Sequence, residues 1–307
     1  MAILINQKTK VLLQGITGKM GGLHTKYMLD YGVDLVAGIS PGKGGSKVGT
    51  VPVYNTVPEA LEHTPIDATL ILVPPYAAKE CAIEAIESGI KLVVIISEFV
   101  PIQDTAYVKQ LAIERGVRIV GPNTIGVISP GKTKVGIMPG SIYSPGPVGV
   151  VARSGTLTHD IGATLTEMGI GQTTCVGIGG DPIRGMDFID VLKEFAADDE
   201  TKVVVMVGEI GGTGEELAAK YLETGYPKPV IAFIAGQTAP AGKRMGHAGA
   251  IISAGSGSAA SKYAALAKAG VTTTKTFSEM IVAVREVLAT EEAPERQLLG
   301  RGQAAGN

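Results

Sequence analysis

The chain has no tryptophan, two cysteines and four histidines; aromatic residues make up 5% of it and charged residues 18%. Each scarcity removes a class of function. Without Trp and with few other rings there is no material for a base-stacking platform. Lys+Arg 27 against Asp+Glu 29 gives a net charge of −2, so no global basic field exists for a nucleic-acid partner. Cys81 and Cys175 stand far apart and the histidines are scattered, so no metal-ligand spacing arises and no metal is expected. The longest apolar runs, such as residues 92–96, fall far short of the ~18 residues of a membrane span. Residues 1–10 carry no apolar h-region of a secretory signal. The expected setting is a reducing cytoplasm, with neither nucleic acid nor membrane as partner.

What is abundant is glycine, 42 of 307 residues, about twice the usual share of roughly 7%. It has no collagen period, and with 45% apolar residues it points to many tight strand-to-helix turns. The length predicts two domains. Short Val/Ile/Leu runs at 10–14, 34–39, 68–73, 92–96 and 118–120 alternate with helical patterns at 21–31, 77–88 and 103–115. Near-continuous apolar strands separated by helices predict right-handed βαβ units and doubly wound α/β sheets with both faces covered. Five prolines with interspersed glycines break this rhythm at 121–147, and the alternation then resumes from 148. The expected organisation is a first domain over 1–125, a Pro/Gly-rich linker over 126–147, a second domain over 148–290 and a polar, frayed tail over 291–307.

The first strand runs into Gly15-Ile16-Thr17-Gly18-Lys19-Met20-Gly21 and then a helix. An open α/β sheet binds phosphorylated ligands at such a turn, where helix N-terminal amides supply donors and positive potential. The spacing is G-x-x-G-x-x-G rather than G-x-G-x-x-G, and no acid ends the second strand to hold a ribose, which disfavours a nicotinamide cofactor. Lys43, in Pro41-Gly42-Lys43-Gly44-Gly45, is placed to neutralise a phosphate held by the first loop. Ile96-Ser97-Glu98 and Pro122-Asn123-Thr124 end later strands and line the same crevice. Gly126-Val127-Ile128-Ser129-Pro130-Gly131-Lys132-Thr133 satisfies G-x-x-x-x-G-K-[ST], but Pro139 and Gly140 follow too soon for the helix a P-loop needs.

His247 lies in Gly246-His247-Ala248-Gly249, beside Lys243 and Arg244 and ahead of a small-residue run at 253–260. A histidine on a movable glycine loop suits an imidazole that more than one substrate must reach. Arg153-Ser154-Gly155-Thr156 follows a strand and opens a helix, which makes Ser154, Gly155 and Thr156 a phosphate cradle. Glu209 follows the strand at 203–207, where a carboxylate could orient one ring nitrogen and leave the other as nucleophile.

Together with Gly121-Pro122-Asn123, Gly177-Ile178-Gly179-Gly180-Asp181-Pro182 and Gly208-Glu209-Ile210-Gly211-Gly212, these segments resemble the succinate–CoA ligase (succinyl-CoA synthetase) alpha subunit family, from residue 3 to about 289. The resemblance implies an N-terminal Rossmann-like CoA-binding domain followed by a flavodoxin-like ligase domain. It implies that Thr17, Gly18, Lys19, Met20 and Lys43 hold coenzyme A, with Ile96, Ser97 and Glu98 lining its thiol end. His247 would be the phosphorylated nucleophile and Glu209 its partner. The implied partner is an ATP-grasp beta subunit, in an αβ or α2β2 heteromer, which binds ATP or GTP with Mg2+; the implied substrate is a small carboxylic acid.

Three segments depart from the family pattern. Thr124 replaces the usual Cys, His159 the tyrosine associated with the acid, and Ser97-Glu98-Phe99 the usual Thr-Glu-Gly. With His159, Asn123 and Thr124 read as substrate contacts, and His159 able to carry charge near neutral pH, the expected acid is one other than succinate, such as malate or a sulfo acid like sulfoacetate. The alternative is a CoA-binding regulatory protein on the same scaffold without ligase activity, against which His247 and Glu209 speak.

Overall fold

The computed structural model describes residues 2–240, 242–252 and 257–303, with residues 291–303 described by backbone alone. The first half runs β1 (Val11–Gln14), α1 (Lys19–Asp30), β2 (Leu35–Ile39), β3 (Lys47–Val48), β4 (Val51–Tyr54), α2 (Val57–His63), β5 (Ala68–Ile71), α3 (Pro75–Glu87), β6 (Leu92–Ile95), α4 (Ile102–Arg115) and β7 (Arg118–Val120). Its sheet has the order β3-β4-β2-β1-β5-β6-β7 and is parallel except for the β3–β4 pair. Val11 pairs with Leu35 on one side and Ala68 on the other, so the strand order reverses at β1. That reversal opens a crevice at the carboxyl end of β1, where the Gly15 turn lies. Every residue of β1, β5 and β6 is buried, as expected of strands covered on both faces.

The second half runs β8 (Gly126–Ser129), β9 (Thr133–Gly136), a 3-10 turn (Gly140–Ile142), β10 (Pro145–Ala152), α5 (Gly155–Glu167), β11 (Gln172–Gly177), α6 (Phe188–Ala196), β12 (Val203–Glu209), α7 (Gly214–Leu222), β13 (Val230–Ala235), α8 (Ala259–Lys268), β14 (Thr272–Thr274) and α9 (Phe277–Gln303). Its order is β14-β13-β12-β10-β11-β8-β9, again with a reversal, here between β10 and β12. The architecture is α/β in both halves. Among the described residues no helix is long and apolar enough to cross a membrane.

Two expectations are corrected. The Pro/Gly-rich stretch 126–147 is not a bare crossing: β8 and β9 form an antiparallel hairpin that adds to β11 at the edge of the second sheet, with every residue of both strands buried. Its glycines are functional in the pairing, since a Cβ on Gly126 would lie 2.2 Å from the Val135 carbonyl oxygen. The final helix continues through Gln303, so residues 291–303 are helical where a frayed tail is expected; Glu, Ala, Arg, Gln and Leu there are strong helix formers. Residues 304–307 lie outside the described residues.

The halves are joined through the loops that follow β7. Gly185 and Met186 donate backbone bonds to Gly121 and Ile119, at 2.9 and 2.7 Å. Buried Lys134 on β9 lies over the Tyr31 ring at the end of α1 and donates to the Met138 carbonyl. The Gly185 and Met186 bonds set the carboxyl end of β7 against the loop before α6, and the Lys134 tie joins the hairpin to the far end of α1.

Candidate active site

The crevice at the end of β1 is built by close backbone approach. Gly15 takes φ +86°, and a Cβ there would meet the Leu72 carbonyl oxygen at 2.5 Å. Gly21 lies so near the Gly15 carbonyl that a Cβ would approach it to 2.1 Å. No side chain caps α1, whose first turn carries Lys19 and Met20 after Gly18, so its first-turn amides have no side-chain partner. Thr17 and Ser40 hydroxyls meet at 2.5 Å and fasten this turn to the Lys43 loop. The cleft measures about 920 Å³; Thr17, Gly18, Leu72 to Pro74 and Tyr76 line it. Lys43 is exposed on its loop, and Ser97 donates to the Val73 carbonyl at 2.6 Å. Asn55, not singled out in the sequence, accepts from Gly42 and Gly44 amides at 2.9 and 3.1 Å and shapes the Lys43 loop.

Across the junction, His247 Nδ1 lies 2.7 Å from Glu209 Oε2. Glu209 ends β12, and its other oxygen is 3.1 Å from the Arg153 guanidinium at the end of β10. The strand reversal between β10 and β12 is what brings these side chains together. Arg153 also donates to the Gly211 carbonyl at 3.1 Å and stands 3.6 Å from Glu215. Glu215 in turn pairs with Lys262, and both are fully buried. Buried charges persist only where paired in this way. Neither Glu215 nor Lys262 carries a motif, so the sequence gives no sign of the pair.

The hydrogen bond to Glu209, opposed in part by burial, holds the His247 imidazole above its ordinary pKa of 6.5. Gly180 lies directly under the ring: a Cβ there would sit 2.3 Å from His247 Cγ. The loop is held by Gly249 donating to the Gly180 carbonyl at 3.1 Å and Met245 to the Ala250 carbonyl at 2.9 Å. Part of the small-residue run, 253–256, lies outside the described residues. Ser154 caps α5 by accepting from Leu157 over a long 3.4 Å, with Gly155 and Thr156 forming the first turn. Since Arg153 grips Glu209, this turn begins one residue from the histidine network.

Asn123 connects the two regions. Its amide donates to the Ser97 carbonyl at 3.0 Å, and its side chain donates to Asp181 at 3.0 Å. The Asp181 carboxylate adds to the field that favours protonated His247. Two of the expected substrate contacts have partners within the chain. The Thr124 hydroxyl is buried, donates to the Gly177 carbonyl and accepts from the Gly126 amide at 3.0 Å, so it serves the backbone. His159 is half-buried with Nδ1 2.9 Å from the Tyr143 hydroxyl, and burial lowers its pKa, so it is neutral where a cation is expected. Among the described residues no group of three or more His, Cys, Asp or Glu is arranged to hold a metal ion. The G-x-x-x-x-G-K-[ST] match forms the β8–β9 hairpin, and its Lys132 and Thr133 lead into β9 instead of an α-helix.

Residues 6–99 match the CoA binding domain family and residues 151–272 the CoA-ligase family. The chain is 54% identical over 280 residues to the succinate–CoA ligase [ADP-forming] subunit alpha of Staphylococcus epidermidis, covering 91% of this chain and 93% of that one; the same subunit of Staphylococcus aureus matches equally. Among solved structures, ATP citrate lyase from Methanosaeta concilii in complex with (3S)-citryl-CoA superposes with a TM-score of 0.86 at 26% identity, over 94% of this chain. ATP citrate lyase from Methanothrix soehngenii, in complex with citrate and coenzyme A, gives 0.84 at 26% over 98%. This chain spans about half the length of each, 51% and 52%.

Proposed function

The chain belongs to the succinate–CoA ligase alpha subunit family, the alpha subunit of an ADP-forming CoA ligase, and from that premise we propose that His247 carries a phosphoryl group between ATP and a carboxylic acid. The observation that supports this most is the 2.7 Å contact of His247 Nδ1 with Glu209. It fixes the ring with Nδ1–H toward the carboxylate and leaves Nε2 with its lone pair as the nucleophile.

Nε2 takes the γ-phosphoryl group of ATP, releasing ADP. A substrate carboxylate oxygen then attacks that phosphorus, freeing the imidazole and forming an acyl phosphate. The CoA thiol, its proton lost, attacks the acyl carbon and expels phosphate, leaving the thioester. The first-turn amides of α5, from Gly155 and Thr156, and the Ser154 hydroxyl stabilise the phosphoryl oxygens during transfer. Thr17, Gly18, Lys19, Met20 and Lys43 hold the CoA phosphates, and Ile96, Ser97 and Glu98 face its thiol end. ATP or GTP with Mg2+ is bound by an ATP-grasp beta subunit. We place the domain boundary after residue 125, with the hairpin as the first element of the ligase half.

The acid is a small carboxylate whose far end differs from succinate's. His159 in place of a tyrosine supports this, now as a neutral hydrogen-bonding ring rather than a cation. Incubating the assembled enzyme with [γ-32P]ATP tests the central step. Label retained on the wild type, absent in His247→Ala and discharged by acid with CoA, is the expected result; thioester formation by His247→Ala at even a tenth of the wild-type rate overturns it.

A further inference from the structure

A second cavity, of about 570 Å³, opens beside the His247 loop, and none of the transfer steps uses it. Lys109 of α4, Arg153 and Arg184 line it, against a single carboxylate among the described residues, Asp187. That carboxylate is already engaged: it caps α6 by accepting the Ile189 and Asp190 amides at 2.9 and 3.1 Å. The wall keeps an excess of positive charge.

Arg184 is the group that the fold leaves unanswered. Its Nη1 donates to the Asp181 carbonyl at 2.7 Å, but its buried Nε has no partner among the described residues. The ion pairs nearby, Arg153–Glu209, Arg153–Glu215 and Lys262–Glu215, do not include it. Burial, and then the charge of Arg153, push its pKa down to about 10 from the ordinary 12.5. Arg153, only 3% exposed, likewise has an Nε without a partner. Buried cationic groups in this state are costly unless an anion joins them.

α7 begins at the same corner. Its N-cap Thr213 makes no side-chain cap, and a Cβ on Gly214 would lie 3.5 Å from Arg184 Nη2. The start of the helix therefore adds amides and positive potential beside the guanidinium. The two acids of that turn do not line the cavity. Glu215 pairs with Lys262, and Glu216 accepts from the Ser261 hydroxyl at 3.1 Å.

We propose that this cavity binds a phosphate group, with Arg184 as the charged anchor and the first turn of α7 as the neutral donors. It is a site separate from the Ser154 cradle at the start of α5. Its volume accommodates either inorganic phosphate or the phosphate of a small ester.

Equilibrium dialysis of the assembled enzyme against 32P-labelled inorganic phosphate reads the site directly. In Arg184→Ala the Kd is expected to rise about ten- to a hundredfold, the worth of one charge-assisted hydrogen bond. Arg184→Lys should recover part of the loss, since it keeps the charge without the planar fork. Leu217→Glu, on the exposed wall of the cavity, should weaken phosphate by repulsion with Arg184 in place, and it decides the matter if Arg184→Ala does not fold. Ser154→Ala should bind phosphate as the wild type does. Labelling of His247 from ATP and Tm should stay at wild-type levels in Leu217→Glu. Displacement of the label by glycerol phosphate separates the two sources: tighter than by unlabelled phosphate assigns the ester, equal or weaker the free ion, and either sustains the site. No saturable binding by the wild type, a Kd untouched by Arg184→Ala and Leu217→Glu, or binding lost in Ser154→Ala overturns it. Loss of His247 labelling in Leu217→Glu also overturns it, by merging the cavity with the transfer site. A wild type that takes no label from ATP overturns the ligase reading and leaves the dialysis to decide this one.

Discussion

Glu209 Oε2 and His247 Nδ1 are 2.7 Å apart, and the hydrogen bond raises the histidine pKa above 6.5. A protonated ring has no lone pair at Nε2, so phosphorylation by ATP should fall as pH drops through that raised value. Glu209→Gln removes the charge, lowers the ring pKa and moves this acid limb to lower pH. At pH about 8 the variant should still be slower by about ten- to a hundredfold, the worth of a charge-assisted hydrogen bond of ~1.5–3 kcal/mol. The same contact stabilises the fold fully below pH 6.5, the ordinary value, and loses that contribution as pH rises through the raised one. Rapid-quench phosphorylation across pH 5.5–9, on the order of half-unit steps, checks the rate and its acid limb, and thermal unfolding over the same range checks the stability; an acid limb that does not move in Glu209→Gln contradicts the pairing.

Gly180→Ala tests the same geometry sterically. The new methyl would lie 2.3 Å from His247 Cγ and 2.5 Å from Nδ1, so the ring must leave Glu209. A displacement on the order of 1 Å is worth about a hundredfold in rate. Phosphorylation should drop by at least that much while Tm changes little, because the ring, on a partly exposed loop, can yield. Near-normal labelling of the variant would show that the ring position is not limiting.

Lys132→Ala should do almost nothing, although Lys132 belongs to the best formal motif in the chain. It sits in the turn between β8 and β9 and pairs with Glu200 at 2.5 Å on the surface. Such exposed pairs contribute roughly 0–1 kcal/mol. Thermal unfolding and ATP-dependent phosphorylation should both match the wild type, and a loss of labelling with the fold retained would restore the P-loop reading.

The helices and the inner strands were legible because buried parallel strands need unbroken apolar runs, as in Leu92–Ile95. The β8–β9 hairpin was not: Gly126 and Gly136 serve close pairing, and glycine with proline nearby reads as a crossing rather than a strand. At the site, His247 drew notice as a histidine in a glycine-flanked loop and Glu209 as a carboxylate at the end of an apolar strand. The supports could not. Glu215 and Lys262 are 47 residues apart and meet only through packing of α7 on α8, and the Tyr143 hydroxyl that engages His159 comes from the irregular segment before β10. Local pattern carries element type; it does not carry which distant polar groups become partners.

His159 is held by a residue from the segment before β10. Its Nδ1 is engaged by Tyr143, and burial lowers its pKa, so the ring is neutral at pH 7. If the Tyr143 hydroxyl is the donor, Nε2 bears the proton, and on the reading proposed above that N–H is the group offered to the acid. A tyrosine at this position places its hydroxyl farther from the helix, so the two residues should favour acids of different reach and polarity. In the assembled enzyme, kcat/KM for malate or sulfoacetate should exceed that for succinate, and His159→Tyr should shift the ratio toward succinate by about tenfold, or ~1.4 kcal/mol. Because no charge is involved, the wild-type ranking should be the same at pH about 7 and about 8, whereas a cation would lose its preference over that interval. Succinate preferred tenfold by the wild type, or a ranking untouched by His159→Tyr, would remove His159 from the determinants of the acid.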